Sequence, residues 1–189
     1  MIVYRVNEIF YTLQGEGLYA GRPAVFIRMS GCNLNCTWCD TNHASYKELS
    51  ANEIAAECKR LIPAETINIL AVLTGGEPSL QIDGELIDAL HDLGLFVCIE
   101  TNGTHNLPAG IDHITCSPKE NSDVVIKNAD EVKIVYTGQD VEKWRKMINA
   151  KHYSLQPCSR KNTKEVVEYI LKHPWWRLSL QTHKIIDIK

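Results

Sequence analysis

Long apolar runs are missing from this sequence: no stretch approaches the ~18 residues that a membrane-spanning helix needs, so no membrane partner is expected. A basic stripe is missing too. Twenty Lys and Arg are mixed with 23 Asp and Glu for a net charge of -3, which argues against a nucleic-acid backbone as the partner. The opening "MIVYRVNEIFYTLQGEG" has neither the apolar h-region nor the cleavage site of a signal peptide, and a cytoplasmic location is the expectation. There is no internal repeat, low-complexity segment or long linker. An even set of cysteines is also lacking. Of the seven, three crowd into residues 32–39, while Cys58, Cys98, Cys116 and Cys158 stand alone. That pattern does not suit a secreted disulfide framework, and reduced thiols are expected.

What is present is enough for one globular domain over residues 1–189, with 44% hydrophobic and 23% charged residues. "INILAVLTGGEP" and "GLFVCIETNG" are short, β-branched-rich runs that end in glycine turns, the pattern of buried parallel strands. "DHITCSP" and "ADEVKIVY" read as shorter versions. Between them, Ser50 and Glu53 form a capping box that opens a helix "ANEIAAECKRLI", stopped by Pro63. "GELIDALHDLG" reads as a helix ending at Gly94, and "DVEKWRKMINA" and "TKEVVEYILKH" as two later ones. Alternating strands and helices predict an α/β fold with a parallel sheet. The chain is too short for an ordinary eight-fold barrel, so an open, partial β/α barrel is expected, with functional groups at the C-terminal ends of its strands.

The chemistry concentrates in "SGCNLNCTWCD", where Cys32, Cys36 and Cys39 follow a C-x3-C-x2-C spacing. A structural zinc site needs four ligands, and His43 is an available fourth. Such sites are usually built from two separated ligand pairs, however, whereas all three thiols here lie in one loop. Three thiolates on a four-iron cubane leave one iron without a protein ligand, and an open position is the mark of a reactive metal site. The remaining four cysteines are read as small buried apolar residues, Cys98 in a strand and Cys58 on a helix.

This loop, with Trp38 before its last thiol, resembles the signature of the radical S-adenosylmethionine enzymes. The resemblance implies a [4Fe-4S] cluster whose open iron is chelated by S-adenosylmethionine, and reductive cleavage to a 5′-deoxyadenosyl radical. "LTGGEP", Leu73 to Pro78, is similar to the family's glycine-rich segment along the methionine moiety; Gly76 and Glu77 are the residues implied. Glycine admits a close backbone approach, and a carboxylate accepts hydrogen bonds from an ammonium group. "SPK" (Ser117, Pro118 and Lys119) and "LQP", with Gln156, follow short strands and are candidates for the adenosine side.

"EIFYTLQGEG" together with "FIRMSGCNLNCTWCDT" resembles the 7-carboxy-7-deazaguanine synthases of queuosine biosynthesis, and "ETNGT", "CSPK" and "LQTHK" match that pattern in order over nearly the whole chain. The implied reaction contracts the ring of 6-carboxy-5,6,7,8-tetrahydropterin with loss of ammonia, and S-adenosylmethionine acts catalytically. The resemblance also implies a magnesium ion, with Thr41 as its ligand and Asp40 supporting it. For the substrate it implies Leu13, Gln14 and Gly15, Arg28 for the carboxylate, and Thr74, with Glu16, Glu100 and His183 as further ring contacts. The apolar run to the C-terminus suggests an end tied down against the fold, where the Lys189 carboxylate, more than its side chain, meets the substrate; the alternative is a last edge strand, "IIDI". An electron donor such as a flavodoxin is implied. The chain is short in its middle, where larger members carry extra helices, and a homodimer that covers one side of the site is expected. Two other readings compete: an enzyme that activates a glycyl-radical partner, and a non-catalytic zinc- or cluster-binding module, in which "TGGEP" would have no purpose.

Overall fold

Even-numbered and odd-numbered residues of the central strands have different fates, and that division builds the molecule. In the computed structural model, residues 2–37, 39, 41 and 44–189 are described. The chain opens with an antiparallel pair, β1 (Tyr4–Leu13) and β2 (Pro23–Met29), flanked by a short β3 (Lys47–Leu49) that also runs antiparallel to β1. β4 (Leu70–Gly75), β5 (Phe96–Thr101), β6 (His113–Cys116), β7 (Asn128–Tyr136), β8 (Asn149–Pro157) and β9 (Arg177–Leu178) then join β2 in parallel, each beside its predecessor. The sheet order is β3-β1-β2-β4-β5-β6-β7-β8-β9, and β3 and β9 are its free edges, so the barrel is open.

One face of the sheet carries Val25, Ile27, Ala71, Leu73, Val97 and Ile99. It is covered by α1 (Ala51–Leu61) and α2 (Gly84–His91) through Ile54, Cys58, Leu86, Ile87 and Leu90, all fully buried. The capping box opens α1 as the sequence predicts: the Ser50 hydroxyl accepts from the Glu53 amide, and the Glu53 carboxylate accepts from the Ser50 amide at 2.8 Å. On the later strands, Val132, Ile134 and Leu155 pack with Val141, Trp144, Val166 and Trp176 from α3 (Glu142–Met147), α4 (Thr163–Lys172) and their flanks.

The opposite face starts apolar and ends polar. Ala24, Leu70, Val72 and Cys98 form a small core with Tyr19, Phe26 and Phe96. Because side chains alternate along a strand, the residues two further on from Phe26, Val72 and Cys98 are Arg28, Thr74 and Glu100 on the same face, and Arg28 is the register partner of Thr74. The burial of both faces explains why "ILAVL" reads as a continuous apolar run.

Three elements differ from expectation. α3 is only six residues long, because Asn149 and Ala150 of "DVEKWRKMINA" already pair with Asn128 and Ala129 in the sheet. "LQP" lies within β8 and does not follow it. "IIDI" is no edge strand: Thr182–Ile186 form a short α5, closed by Asp187 with a positive φ of 56°, and the two isoleucines are exposed.

Candidate active site

The glycines of "LTGGEP" admit the cysteine loop itself. Gly75 has a φ of +122°, and a Cβ on Gly76 would stand 1.9 Å from the carbonyl oxygen of Gly31 and 3.2 Å from the amide nitrogen of Cys32. That approach lets the Gly76 amide donate to Met29 O (3.0 Å) and the Glu77 amide donate to Gly31 O (2.8 Å). The Glu77 carboxylate is 1% exposed. Its Oε1 accepts from the Thr101 hydroxyl (2.7 Å) and the Ser79 amide (3.0 Å), and its Oε2 accepts from the Asn102 amide (2.7 Å). The "ETNGT" segment completes the clamp: Asn102 Nδ2 donates to Asn33 Oδ1 (3.0 Å), and Asn33 Nδ2 donates to Thr104 Oγ1 (2.9 Å). The thiol loop is therefore fastened to the ends of β4 and β5.

This clamp forms one wall of a cavity of about 710 Å³ at the C-terminal ends of the strands. Cys32, Cys36 and Cys39 all line it as free thiols, Cys39 exposed and the other two half-buried. Burial, then the neighbouring Glu77 carboxylate and the other two thiols, push the Cys32 pKa up. A metal that supplies positive charge reverses such a shift and holds the thiolate. Among the described residues, no three His, Cys, Asp or Glu side chains converge as a single ion would require. A cluster that seats each thiolate on its own iron needs three thiols on one space, and Cys32, Cys36 and Cys39 supply that donor set. His43, Trp38 and Asp40 lie outside the described residues.

A second group of lining residues is polar and charged. Lys133 Nζ lies 2.8 Å from Glu16 Oε2 and 2.8 Å from Glu100 Oε2. Gln181 donates to Glu16 Oε1 at 2.9 Å. Burial alone would raise the Glu16 pKa, but the Lys133 charge and these hydrogen bonds hold it at about 2. Glu100 goes the other way. Its burial, together with the nearby Glu16 and Glu131 carboxylates, outweighs Lys133 and raises its pKa. The loop that carries Gln14, Gly15 and Glu16 is fixed from beneath: Glu131 accepts from the Leu18 amide (2.9 Å), and Ser179 Oγ accepts from the Gly17 amide (2.9 Å). α5 is tied to the same loop, since Thr182 donates to Gly15 O through both its amide and its hydroxyl, each at 2.9 Å.

A third group surrounds Glu8. Arg28 Nε donates to its Oε1 at 2.8 Å and Lys189 Nζ to its Oε2 at 2.6 Å; both cations also sit over the ring of Phe10, which stacks on Phe26. On the thiol side, Lys119 Nζ donates to Ser117 O (2.6 Å) and Ser117 Oγ (2.9 Å), and burial lowers its pKa. Gln156 Oε1 accepts from the Ser179 hydroxyl at 3.0 Å.

One connected space thus holds three thiols together with an arginine and paired carboxylates. A family model described as the Radical SAM superfamily matches residues 26–152. The 7-carboxy-7-deazaguanine synthase of Bacteroides thetaiotaomicron is 55% identical over 185 residues, 98% of each chain. That of Bradyrhizobium diazoefficiens is 41% identical over 208 aligned residues, 98% of this chain and 99% of its own. The crystal structure of QueE from Escherichia coli superposes with a TM-score of 0.79 at 32% identity, over 96% of this chain and 95% of that one. The chain belongs to the radical SAM superfamily and, within it, to the 7-carboxy-7-deazaguanine synthases.

Of the site residues read from the sequence, Leu13, Gln14, Gly15, Glu16, Arg28, Thr41, Thr74, Gly76, Glu77, Glu100, Ser117, Lys119, Gln156, His183 and Lys189 line this cavity with the three cysteines. Pro118 does not line it: it is buried in the turn between Ser117 and Lys119. Cys158 departs from its reading as a buried apolar residue. It is half-buried and lines the cavity, because β8 ends at Pro157 and the chain turns there through Ser159, which has a φ of 47°. Lys133, Glu8 and Phe10 are cavity residues that sequence reasoning missed. A signal for Lys133 exists in "ADEVKIVY": Glu131 and Lys133 alternate with apolar Val132 and Ile134, so two charges share the face opposite the apolar one.

Proposed function

We propose that the chain converts 6-carboxy-5,6,7,8-tetrahydropterin to 7-carboxy-7-deazaguanine with loss of ammonia, in the 7-deazapurine and queuosine pathway. The observation that carries this reading is that three thiols share one cavity with Arg28, Gln14, Glu16 and Glu100, in a chain 55% identical over 98% of its length to a synthase of that name. Product and ammonia together contain every atom of the substrate, so the reaction consumes no net oxidant.

Cys32, Cys36 and Cys39 would hold the [4Fe-4S] cluster, which with S-adenosylmethionine supplies a hydrogen-abstracting radical. Gly76, Glu77, Ser117, Lys119 and Gln156 would line the S-adenosylmethionine side, where Glu77 keeps one unfilled lone pair on Oε2 after its three protein donors. Arg28 would take the substrate carboxylate as a charge-assisted pair in exchange for part of its contact with Glu8. Glu16, Glu100, Gln14 and His183 would meet the ring, and Leu13, Gly15 and Thr74 would shape its pocket. We further propose that Thr41 binds magnesium, that the terminal carboxylate of Lys189 reaches the substrate, and that the enzyme is a single-domain cytoplasmic homodimer reduced by a flavodoxin-like donor.

The test is anaerobic incubation of the reconstituted protein with the carboxypterin, S-adenosylmethionine, reductant and magnesium, followed by mass spectrometry. Formation of 7-carboxy-7-deazaguanine supports the assignment. Cleavage of S-adenosylmethionine with the pterin unchanged sinks it. Stoichiometric zinc without iron in the reconstituted protein would leave the non-catalytic module standing.

A further inference from the structure

Lys133 is 3% exposed and still lines the cavity, because it lies on β7 facing away from the helix-packed Val132 and Ile134. One ammonium group faces two carboxylates at equal distances of 2.8 Å. The two are otherwise held differently. Glu16 has a strong donor on each oxygen, Lys133 on Oε2 and Gln181 on Oε1. Glu100 has Lys133 on Oε2, but among the described residues only the Gln14 amide at 3.5 Å on Oε1, at the outer limit of a hydrogen bond. Glu100 is therefore the carboxylate with acceptor capacity left over.

We propose that Lys133 is a positioning residue for the substrate ring: it anchors Glu100 through one lone pair of Oε2 and leaves Oε1 and the second Oε2 lone pair to the paired N–H donors of an aminopyrimidinone edge. This rests on the pterin reading of the site. Adjacent ring N–H and exocyclic amino donors match a carboxylate in position and charge, and such hydrogen bonds are the stronger kind. Without its anchor, Glu100 faces Glu16 and Glu131 with no cation among the described residues at contact distance, and protonation removes the acceptor the ring needs. The charged and titratable groups around the cluster are Glu16 in the loop after β1, Glu100 on β5, Glu131 on β7, Lys119 after β6 and His183 on α5.

The experiment measures KM and kcat for the carboxypterin between pH 6 and 9 with cluster-loaded wild type, K133Q and E100Q, and S-adenosylmethionine affinity by equilibrium dialysis. K133Q keeps a two-donor amide but no charge. It is expected to raise KM about tenfold and move the acid limb of kcat/KM to higher pH, with iron content and S-adenosylmethionine affinity unchanged. E100Q leaves one cation facing one anion, which secures the fold should K133Q misfold; it too is expected to raise KM about tenfold, and to lose that acid limb. A wild-type KM in E100Q, or a wild-type KM and pH profile in K133Q, overturns the role given to Lys133. A KM increase accompanied by loss of S-adenosylmethionine binding assigns a general structural role and also overturns it. Wild-type protein that never converts the pterin overturns the substrate reading, and this inference with it.

Discussion

Replacing Gly76 with alanine puts a methyl carbon 1.9 Å from Gly31 O and 2.5 Å from the carbonyl carbon, roughly 1.5 Å short of an ordinary non-bonded separation. Both neighbours are backbone atoms, so no side chain can rotate away. β4 and the cysteine loop must separate, and two backbone hydrogen bonds, from Gly76 to Met29 and from Glu77 to Gly31, must stretch. Overpacking costs about 1–3 kcal/mol, and each of the two hydrogen bonds contributes about 1 kcal/mol net, so the whole penalty is roughly 3–5 kcal/mol. For a chain of this size that lowers the thermal midpoint by roughly 6–20 °C. The separation also moves the Cys32 backbone, so cluster content after reconstitution should fall. Gly84→Ala is the control: it opens α2, has no neighbour within 4 Å and no positive φ. It should be neutral or stabilise by up to about 1 kcal/mol. Circular dichroism melts and iron analysis of both variants settle the matter. If G76A melts and loads iron like G84A, the glycine is not there to admit the cysteine loop.

Three further expectations concern single groups. Glu142 accepts hydrogen bonds from Trp176 Nε1 (2.7 Å), Trp175 Nε1 (3.0 Å) and Arg145 Nε (2.9 Å), and these, against the opposing effect of burial, hold its pKa at about 2. A depressed carboxylate stabilises the fold above its unfolded pKa and loses that contribution as pH falls toward its folded value; E142Q should cost about 1–3 kcal/mol at pH 7 in urea denaturation, with the gap narrowing below about pH 4.5, and a gap independent of pH would refute the linkage. C58A, C98A and C116A remove buried thiols that do not line the cavity and should keep full cluster absorbance; loss of the cluster in any folded one would break the three-ligand account. A non-cleavable C-terminal extension should depress kcat/KM strongly without changing cluster content, and unaltered kinetics would remove the terminal carboxylate from the site.

The residues themselves explain why some of this was readable and some was not. Ser50 and Glu53 announce α1 because a capping box is local chemistry, and the apolar runs announce β4 and β5 because both faces are buried. The thiol spacing is equally local. α3 was overestimated because helical periodicity in "DVEKWRKMINA" continues into residues whose backbone pairs with β7; the sheet overrides the local pattern there. Lys133, Glu16 and Glu100 are far apart in sequence, and only the strand order brings them to 2.8 Å, so no local pattern marks them as a unit. The task of Gly76 was likewise hidden. A glycine-rich turn can admit a ligand or another backbone equally well, and the position of Gly31 decides for the backbone.

The proposed reaction joins, within one cavity, cluster chemistry to a pterin ring contraction that returns its hydrogen and loses only ammonia. Its most direct test is to quantify 7-carboxy-7-deazaguanine, ammonia and consumed S-adenosylmethionine in the same anaerobic reaction. Equal amounts of product and ammonia, both in excess over the S-adenosylmethionine consumed, are expected; S-adenosylmethionine cleavage with no deazaguanine and no ammonia would refute the assignment.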